Sequence, residues 1–322
     1  MRSLTLWLAI LASMLLSGCP QKPAPPLRIA LNAWPGYEFL FLADQLGYFK
    51  EEGVDVKLIP FQTLADGRRA FERRQVDVMG GSVVELYTSR DIAGFEPAVF
   101  LVTDDSNGSD MLLARKEFLD VLSLRGKKLA LEIGTLDVLT SANALASAGL
   151  TFGDVQVVPM PQPSAIKALL AGEVDAVQTY PPFATEALAS AKVTKLFDSS
   201  QTPGEIVDML IAHRSDLAER SGDYGRMVRA FYRARQYHAE HPDDANRRMA
   251  GREHIKPFEF VEALSGTKLA RLEDQRGYLD QGKLVPVLAK VHATLTAVGA
   301  IKGPPCGTEC MSTLAVDAAA RR

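Results

Sequence analysis

The feature of this sequence that most limits its fold is an internal repeat. Residues 55–60 lead through a helical stretch to residues 75–79, and residues 154–159 lead in the same way to residues 173–177. Each copy predicts a strand, a helix and a second short strand with a Val-Asp pair at its start. Two strand–helix–strand units predict two similar α/β lobes. Two lobes leave a cleft between them, where small ligands typically bind.

The remaining sequence predicts an α/β fold in which each lobe is a mixed sheet flanked by helices. We expect the first lobe to combine residues 27–103 with residues 205–322. The second lobe, residues 107–198, is predicted to be inserted between those two parts. The two crossings, residues 104–106 and 199–204, are polar or turn-rich and are predicted to form the hinge.

The N-terminal segment predicts export and lipidation. Residues 1–18 combine Arg2 with an apolar stretch that is short for a membrane span and typical of a signal peptide. Leu16-Ser17-Gly18-Cys19 fits a bacterial lipobox, in which Cys19 is lipidated and becomes the new N-terminus. Residues 19–26 are rich in proline and predict an extended, lipidated tether. The alternative is an ordinary signal peptide followed by a chance cysteine.

Two further cysteines, Cys306 and Cys310, lie close together near the C-terminus. In an exported protein such a pair can form a small structural disulfide loop. Free thiols and a redox-active pair are the alternatives, although the spacing is not Cys-x-x-Cys. A metal site would need more ligands than this cluster offers, so we predict neither a metal nor a cofactor.

Charge and hydropathy exclude two classes of function. The chain has 36 Lys and Arg against 39 Asp and Glu, with no basic run of the kind that nucleic-acid binding needs. No long apolar run follows Leu16, so the body of the chain is not expected to contain a transmembrane helix. The length is sufficient for two medium-sized domains.

Several short segments, taken in order, resemble one known family. The chain is similar to the substrate-binding proteins of ABC importers for nitrate, taurine and alkanesulfonates, which share a fold with thiamine-precursor binders. The matching segments are Asn32-Ala33-Trp34-Pro35-Gly36-Tyr37, Leu46-Gly47-Tyr48-Phe49, Glu52-Gly53-Val54-Asp55-Val56, Arg125-Gly126-Lys127-Lys128, Glu173-Val174-Asp175-Ala176 and Tyr180-Pro181-Pro182-Phe183.

This resemblance implies a type II periplasmic-binding-protein fold that closes by hinge motion around one small molecule. It also implies an extracytoplasmic monomer that delivers its ligand to an ABC permease and, indirectly, to the ATPase. A lipid anchor at Cys19 would hold such a protein to the membrane.

Ligand contacts in such a fold come from strand ends and helix N-termini. Trp34 follows the first strand and is expected to stack on the ligand, unless it only covers a helix end. The amides at Ser82 are candidates for an anionic or carbonyl group, although Ser82 also fits a plain N-cap. The predicted contacts in the first lobe are Trp34, Gly36, Tyr37, Ser82, Val83 and Glu85.

In the second lobe, Gly134 and Thr135 open a helix whose amides can hold an oxyanion, although Asp137 competes for them. Tyr180 is predicted to form an aromatic wall, with a proline-stiffened turn as the alternative. Asp104, Glu205 and Asp208 lie near the crossings and are candidates for binding a cation. The predicted contacts in this lobe and at the hinge are Gly134, Thr135, Asp137, Tyr180, Phe183, Asp104 and Glu205.

The charge of these segments favours one kind of ligand. None of them supplies the Lys or Arg that a nitrate or sulfonate site often has. They supply Glu38, Glu85, Asp104, Asp137 and Glu205 instead, which favours an amine, a zwitterion or an aminopyrimidine. An anion held by helix amides alone remains open.

Two other functions fit the same fold. A sensory lipoprotein would present the ligand to a membrane signalling protein instead of a permease. An enzyme similar to the chorismate-processing enzymes of menaquinone synthesis is disfavoured, because the lipobox predicts export and no nucleophile–base pair is recognisable.

Overall fold

The computed structural model describes residues 24–93 and 96–321. The predicted signal peptide, residues 1–18, and the predicted lipidation site, Cys19, lie outside the described residues. Within those ranges no helix is long and apolar enough to cross a membrane.

The strands of the described chain form a six-stranded sheet and a five-stranded sheet. The strands are β1 (Leu27–Leu31), β2 (Val56–Pro60), β3 (Val78–Ser82), β4 (Pro97–Ser106), β5 (Met111–Arg115), β6 (Lys128–Leu131), β7 (Gln156–Pro159), β8 (Ala176–Thr179), β9 (Val193–Asp198), β10 (Val207–His213) and β11 (Thr267–Leu269).

The α-helices pack on the faces of these sheets. They are α1 (Glu38–Gln45), α2 (Tyr48–Glu52), α3 (Leu64–Glu72), α4 (Val83–Ala93), α5 (Leu136–Ser147), α6 (Gln162–Ala171), α7 (Phe183–Leu188), α8 (Arg214–Glu219), α9 (Ser221–Glu240), α10 (Pro242–Glu253), α11 (Pro257–Ser265), α12 (Gln275–Leu279), α13 (Val285–Ala297) and α14 (Leu314–Ala320).

The two sheets share one strand arrangement. The first has the order β11-β4-β10-β3-β1-β2 and the second β7-β6-β8-β5-β9. The strand β1 lies parallel between β2 and β3, and β6 lies parallel between β7 and β8. The next strand in each sheet, β10 or β5, is antiparallel. The predicted α/β fold, with two mixed sheets flanked by helices, is therefore confirmed.

The repeated Val-Asp pair has a structural role at the same position in each sheet. Asp77 accepts a hydrogen bond from the Arg28 amide at 2.8 Å, and Asp175 accepts one from the Lys128 amide at 2.9 Å. Both aspartates precede the second strand of their unit and hold the start of the neighbouring parallel strand. They lie at the N-terminal ends of these strands, whereas the C-terminal ends face the other lobe.

The chain passes from the first sheet to the second between Ser106 and Met111, and returns between Asp198 and Val207. Residues 104–106, predicted to form the first crossing, are instead the last three residues of β4, because all three pair in register with β11. The Ser106 and Ser199 hydroxyls lie 2.8 Å apart and join the two crossings. Hinge motion at these crossings stays a prediction.

Apolar side chains fill the first lobe on both faces of its sheet. Every residue of β3 and β10 is buried. Phe39 of α1 and Phe231 of α9 are fully buried and meet edge to face, with ring centroids 6.1 Å apart. Burying one such side chain contributes about 1.5–3 kcal/mol to stability. This packing gives the strand ends at the cleft a rigid base.

Near the C-terminus, Cys306 and Cys310 form a disulfide. The Cys306 amide donates to the hydroxyl of buried Tyr87 on α4 at 3.3 Å, so the disulfide loop packs against the first lobe. The Ser312 amide donates to the carbonyl of Val99 in β4 at 2.8 Å. The loop therefore lies on the scaffold, apart from the strand ends at the cleft.

Candidate functional site

The site begins with two aspartates that face each other across neighbouring strands. Asp208 of β10 is in register with Asp104 of β4 on one side and with Ser82 of β3 on the other. Directly opposed residues in an antiparallel pair have Cα atoms about 4.5–5.5 Å apart. Both side chains are buried. Two carboxyls in this arrangement oppose folding, because like charges directly opposite each other repel.

The loop after β1 covers this pair with two aromatic donors. The Trp34 indole Nε1 donates to Asp104 Oδ1 at 3.0 Å, and the Tyr37 hydroxyl donates to Asp208 Oδ1 at 3.4 Å and to the Gly81 carbonyl at 3.1 Å. The second oxygen of each carboxyl, Asp104 Oδ2 and Asp208 Oδ2, is buried without a hydrogen-bond partner in the described structure. Among the described residues, these two oxygens have no donor except the neighbouring carboxyl, since Asp208 and Asp104 can hydrogen-bond each other when one of them is protonated.

Gly36 lies against the free oxygen of Asp104. A Cβ built at Gly36 would be 1.8 Å from Asp104 Oδ2 and 3.2 Å from Trp34 Nε1. A side chain at this position would displace the carboxyl or the indole. Glycine is therefore required here by close approach.

Burial is the main influence on the protonation of the pair, and a hydrogen bond from Asp208 partly offsets the effect of burial on Asp104. Burial raises the pKa of Asp104 to about 6, and the neighbouring charge of Asp105 adds to this increase. Burial, followed by the charge of Asp104, holds the pKa of Asp208 well above its ordinary value. A neighbouring positive charge would reverse these shifts, since it favours the ionised form.

The second lobe places more carboxyls opposite this pair. Asp110 lies just before β5, is fully buried, and has both carboxyl oxygens without a partner in the described structure. Burial raises its pKa to about 7, and the charges of Asp104 and Glu85 act in the same direction. Asp137 accepts hydrogen bonds from the Glu132 amide at 2.9 Å and from Gln162 Nε2 at 2.8 Å, and its Oδ1 is unpartnered.

Tyr180 forms the aromatic wall of the second lobe. Its ring meets Trp34 edge to face with centroids 6.1 Å apart, and its hydroxyl accepts from Asn32 Nδ2 at 3.5 Å. A small cavity lies where these side chains meet. Its lining contains no Lys or Arg among the described residues and consists of Asn32, Trp34, Tyr37, Leu64, Leu136, Tyr180 and Asp208.

Each lobe also sends a glutamate to a helix N-terminus of the other lobe. Glu85 of the first lobe accepts from the Leu136 amide at 2.9 Å through Oε1. Its Oε2 accepts from the Ser82 amide and hydroxyl, both at 2.7 Å. Glu132 of the second lobe accepts from the Ala65 amide at 3.3 Å through Oε1. These contacts hold the two lobes together around the cavity.

The predicted oxyanion sites are therefore already occupied by groups of the protein. The Ser82 amide donates to Glu85 and the Val84 amide donates to the Ser82 hydroxyl, so these amides are satisfied. At the second site, Glu85 accepts from Leu136, and the Thr135 hydroxyl accepts from the Asp137 amide at 3.4 Å. Asp137 was predicted to compete for these amides, but it accepts from the Glu132 amide instead. The carboxylate that binds the helix N-terminus is that of Glu85, from the other lobe.

Two of the predicted cleft acids lie elsewhere. Glu38 is fully buried in an ion pair with Arg252 of α10, because α1 turns its first residue toward that helix. Glu205 accepts from Asn143 at 3.0 Å and pairs with Lys290 at 2.6 Å, so a cation of the protein already neutralises it. Neither lines the cavity.

The other predicted positions surround the site without lining the cavity. Val83 is buried at the start of α4. Phe183 packs behind Tyr180 with ring centroids 5.9 Å apart. Gly134 has φ +77°, and the guanidinium of Arg68 lies beside it, where an added Cβ would be 3.4 Å from Nη2. Arg68 is a buried cation in α3 that forms an ion pair with Glu72.

Sequence reasoning missed Asn32, Arg68, Asp110 and Glu132. Asn32 and Glu132 follow parallel strands directly, so their position at strand ends was an available signal. Asp110 lies just before the start of β5, which is antiparallel to β8, so the start of β5 lies beside the end of β8. The sequence does not show that β5 is antiparallel. Among the described residues, no cluster of three or more His, Cys, Asp or Glu has the geometry to hold a metal ion.

Two mixed sheets of matching strand order, joined by two crossings, form the two-lobed fold of periplasmic binding proteins. A family model described as "NMT1/THI5 like" matches residues 34–245, which is more than half of the chain. The chain belongs to this family, as the resemblance to importer substrate-binding proteins predicted. No curated protein sequence matches it significantly.

Solved structures share this fold at low sequence identity. The alkanesulfonate-binding protein SsuA from Xanthomonas axonopodis pv. citri, bound to MOPS, has a TM-score of 0.74 and 14% identity, over 90% of this chain and 99% of that one. The aliphatic sulphonate-binding protein SsuA from Escherichia coli has a TM-score of 0.67 and 17% identity, over 88% and 94%.

An enzyme is similar as well. A mutant of the desulfurization enzyme DszB, in complex with biphenyl-2-sulfinic acid, has a TM-score of 0.66 and 15% identity, over 90% of this chain and 98% of that one. Binding proteins and an enzyme thus share the architecture, and the ligand has to be inferred from the side chains of this site.

Proposed function

We propose that the protein is a solute-binding lipoprotein of an ABC importer whose ligand is a small organic cation rich in N–H donors. The fold supports capture between two lobes, and hinge closure at the crossings would enclose the ligand. The similar structures named for sulfonate binding support the receptor role. The single observation that carries the ligand class is the buried, opposed pair of Asp104 and Asp208, each with a free oxygen.

A cation resolves the unfavourable electrostatics of this pair. A buried carboxylate that lacks a partner costs several kcal/mol. Each carboxyl therefore either takes up a proton and becomes neutral or needs a counterion. An ammonium group between Asp104 Oδ2 and Asp208 Oδ2 would supply both charge and donors. Trp34, Tyr37 and Tyr180 offer ring faces and edges at the same place, and aromatic faces attract cations.

Among the described residues at and near the interface of the lobes, more buried acceptors than donors lack a hydrogen-bond partner, and the donors are Gln178 Nε2, Arg68 Nε and the hydroxyls of Thr103 and Thr179. Acceptors without a partner need donors on the ligand, because an unmet buried polar atom costs about 1–3 kcal/mol. A sulfonate or nitrate would bring further acceptors to carboxyls that already lack donors. The unpartnered acceptor atoms are Asn32 Oδ1, Asp104 Oδ2, Asp208 Oδ2, Asp137 Oδ1, Glu132 Oε2, Gln162 Oε1 and both oxygens of Asp110.

Calorimetry on the full chain in detergent tests the ligand class. The comparison uses alkylamines and alkanesulfonates with the same carbon chain, at a pH near 8, where alkylamines carry a positive charge and sulfonates a negative one. We expect the amine to bind and the sulfonate to give no heat beyond dilution. A sulfonate that binds more tightly than its matched amine would contradict the proposal.

The variant Asp104→Asn tests the residue assignment. It should lower amine affinity at least about 30-fold, because truncating one member of a desolvated charge pair costs about 2–5 kcal/mol. The matched control is Asp55→Asn, an exposed aspartate just before β2, which should leave affinity unchanged. Equal affinities for the two variants would remove the pair from the binding site.

The membrane anchor is a separate part of the proposal. The Leu16-Ser17-Gly18-Cys19 motif supports lipidation and an extracytoplasmic location, with the permease reached from the membrane surface. Cys19→Ala should release the protein from the membrane fraction into the soluble extracytoplasmic fraction. Unchanged fractionation would refute the anchor without affecting the ligand class.

A further inference from the structure

The free carboxyl oxygens fall into two groups on opposite sides of the cleft. Asp104 and Asp208 belong to the first sheet and share a row across β4 and β10. Asp110 lies immediately before β5, an inner strand of the second sheet, and offers both oxygens. The Asp110 amide donates to the hydroxyl of Ser106, two residues after Asp104, at 3.3 Å, and the charge of Asp110 raises the pKa of Asp208. No hydrogen bond between described residues connects Asp110 to either member of the pair.

Neutral side chains point to a ligand at the same place. Asn32 is only 6% exposed, lines the cavity and leaves its Oδ1 without a partner in the described structure. Its Nδ2 is already used, donating to the Ala33 carbonyl at 3.1 Å and to the Tyr180 hydroxyl at 3.5 Å. Asn32 therefore offers a buried acceptor at the cavity that Asp208 also lines.

A ligand with one positive charge would leave one group uncompensated. Two buried or half-buried arginines have partners elsewhere: Arg68 pairs with Glu72 through Nη1, leaving Nε unpartnered in the described structure, and Arg235 donates to the Ala270 carbonyl at 2.8 Å. If an ammonium group binds at Asp104 and Asp208, Asp110 still has no cationic partner among the described residues, since the groups that can hydrogen-bond to it, Ser106 and Gln178, are neutral. Closing the lobes over an ionised Asp110 would then carry the full cost of a buried, unpaired carboxylate.

We propose that the ligand is a linear dication, an α,ω-diamine or a close relative with two cationic nitrogens. One nitrogen binds between Asp104 and Asp208, and the other binds Asp110. The methylenes between them lie along Trp34 and Tyr180 once the lobes have separated, because the cavity there measures only about 10 Å³ in this structure. This inference rests on the proposed function, since it assigns the second half of the same cation site.

Calorimetry on the full chain in detergent tests the inference with a ligand series. The series pairs α,ω-diaminoalkanes of about three to six methylenes with 1-aminoalkanes of equal length, in buffer with EDTA. We expect the best diamine to bind about 10–100-fold more tightly than its matched monoamine, since one added charge pair contributes about 1.4–2.8 kcal/mol. Ca²⁺ or Mg²⁺, titrated without EDTA, should not compete with it.

The variant Asp110→Asn assigns the second nitrogen to its residue. It should lower diamine affinity to the level of the monoamine and change monoamine affinity by less than about 3-fold. A thermal melt confirms that the variant is folded before it is titrated. Diamine selectivity that persists in folded Asp110→Asn would overturn the assignment.

The outcomes separate the two proposals. Equal binding of monoamine and diamine by the unmodified protein would overturn the dication and leave the cationic ligand in place. If no amine binds, the proposed ligand class itself fails. Displacement of a bound diamine by Ca²⁺ or Mg²⁺ at equal concentration would show that the carboxyls select a metal ion, which overturns the dication as well.

Discussion

The two lobes are alike at the strand ends that point away from the cleft and different at the strand ends that face it. At the strand ends away from the cleft, Asp77 and Asp175 make the same hydrogen bond to a backbone amide of the neighbouring parallel strand. At the strand ends that face the cleft, the first lobe opposes Asp104 to Asp208 across two strands, whereas the second presents Asp110 just before β5 and Asp137 in α5. The repeated residues have the same structural role in each lobe, and the unrepeated ones form the proposed ligand site.

The lobes also exchange contacts, and this exchange is unequal. Glu85 is fully buried, and both of its carboxyl oxygens accept hydrogen bonds. One accepts from the Leu136 amide of the second lobe, and the other accepts from the amide and hydroxyl of Ser82 in the first lobe. Glu132 makes one longer bond to the Ala65 amide and keeps Oε2 without a partner in the described structure. Burial raises the pKa of Glu132 to about 7. Glu85 is therefore expected to be the stronger of the two interlobe contacts.

Glu85→Gln and Glu132→Gln test this inequality. Both carboxyl oxygens of Glu85 accept hydrogen bonds, so in Glu85→Gln the side-chain NH2 group faces another donor in place of an acceptor. We therefore expect the free energy of unfolding to fall by about 3 kcal/mol. Glu132→Gln retains an acceptor for the Ala65 amide, so the expected loss is below about 1 kcal/mol. Urea denaturation measures both, and equal losses would show that the two contacts are equivalent.

The pH dependence of Asp110→Asn tests the burial of an unpaired carboxyl on the second lobe. The folded state raises the pKa of Asp110 to about 7, above its unfolded value, so folding retains a proton that the unfolded chain releases. The contribution of Asp110 to stability therefore falls as pH rises from about 4 to about 7.

Relative to the unmodified protein, ligand-free Asp110→Asn should gain about 2 kcal/mol in stability between pH 5 and pH 8. Taking the difference between the two proteins cancels groups common to both, such as His213, whose pKa is lowered to about 4 by burial. Urea denaturation at several pH values measures this difference. A difference that does not change with pH would mean that Asp110 is solvated or paired.

The repeated aspartates should behave alike. Asp77→Asn and Asp175→Asn each keep an acceptor for the strand amide and lose the ion pair with Arg28 or Arg115, respectively. Because these pairs are partly exposed, we expect each variant to lose about 1 kcal/mol or less of stability, and ligand affinity to remain unchanged. Thermal melts and calorimetry check both results. A loss of ligand affinity in either variant would contradict the assignment of ligand binding to the strand ends that face the cleft.

The sequence was sufficient to predict the paired strand–helix–strand units, because the repeat and the apolar periodicity are local signals. It also led to Trp34, Tyr37, Asp104 and Tyr180, which follow or end strands at the cleft edge. It misplaced Glu38 and Glu205, because their cationic partners, Arg252 and Lys290, are distant in sequence.

The reciprocal contacts were not predictable either. A glutamate that satisfies a helix N-terminus of the other lobe leaves no pattern along the chain, whereas Thr135, a cap within its own helix, does. Asp208 was recognisable only as an acid near a crossing, and its opposition to Asp104 depends on strand register. Long-range register and interlobe contacts therefore set the limit of sequence reasoning here.

The most direct test uses the fluorescence of Trp34, whose indole nitrogen is 3.0 Å from Asp104 Oδ1. The sequence has two tryptophans, so Trp7→Phe leaves Trp34 as the only one. Titrating this variant with a diamine and with an alkanesulfonate of equal length measures binding at the aspartate pair itself. We predict a saturable emission change with the diamine alone, lost when Asp104→Asn is added. Saturation by the sulfonate, with no response to the diamine, would contradict the account.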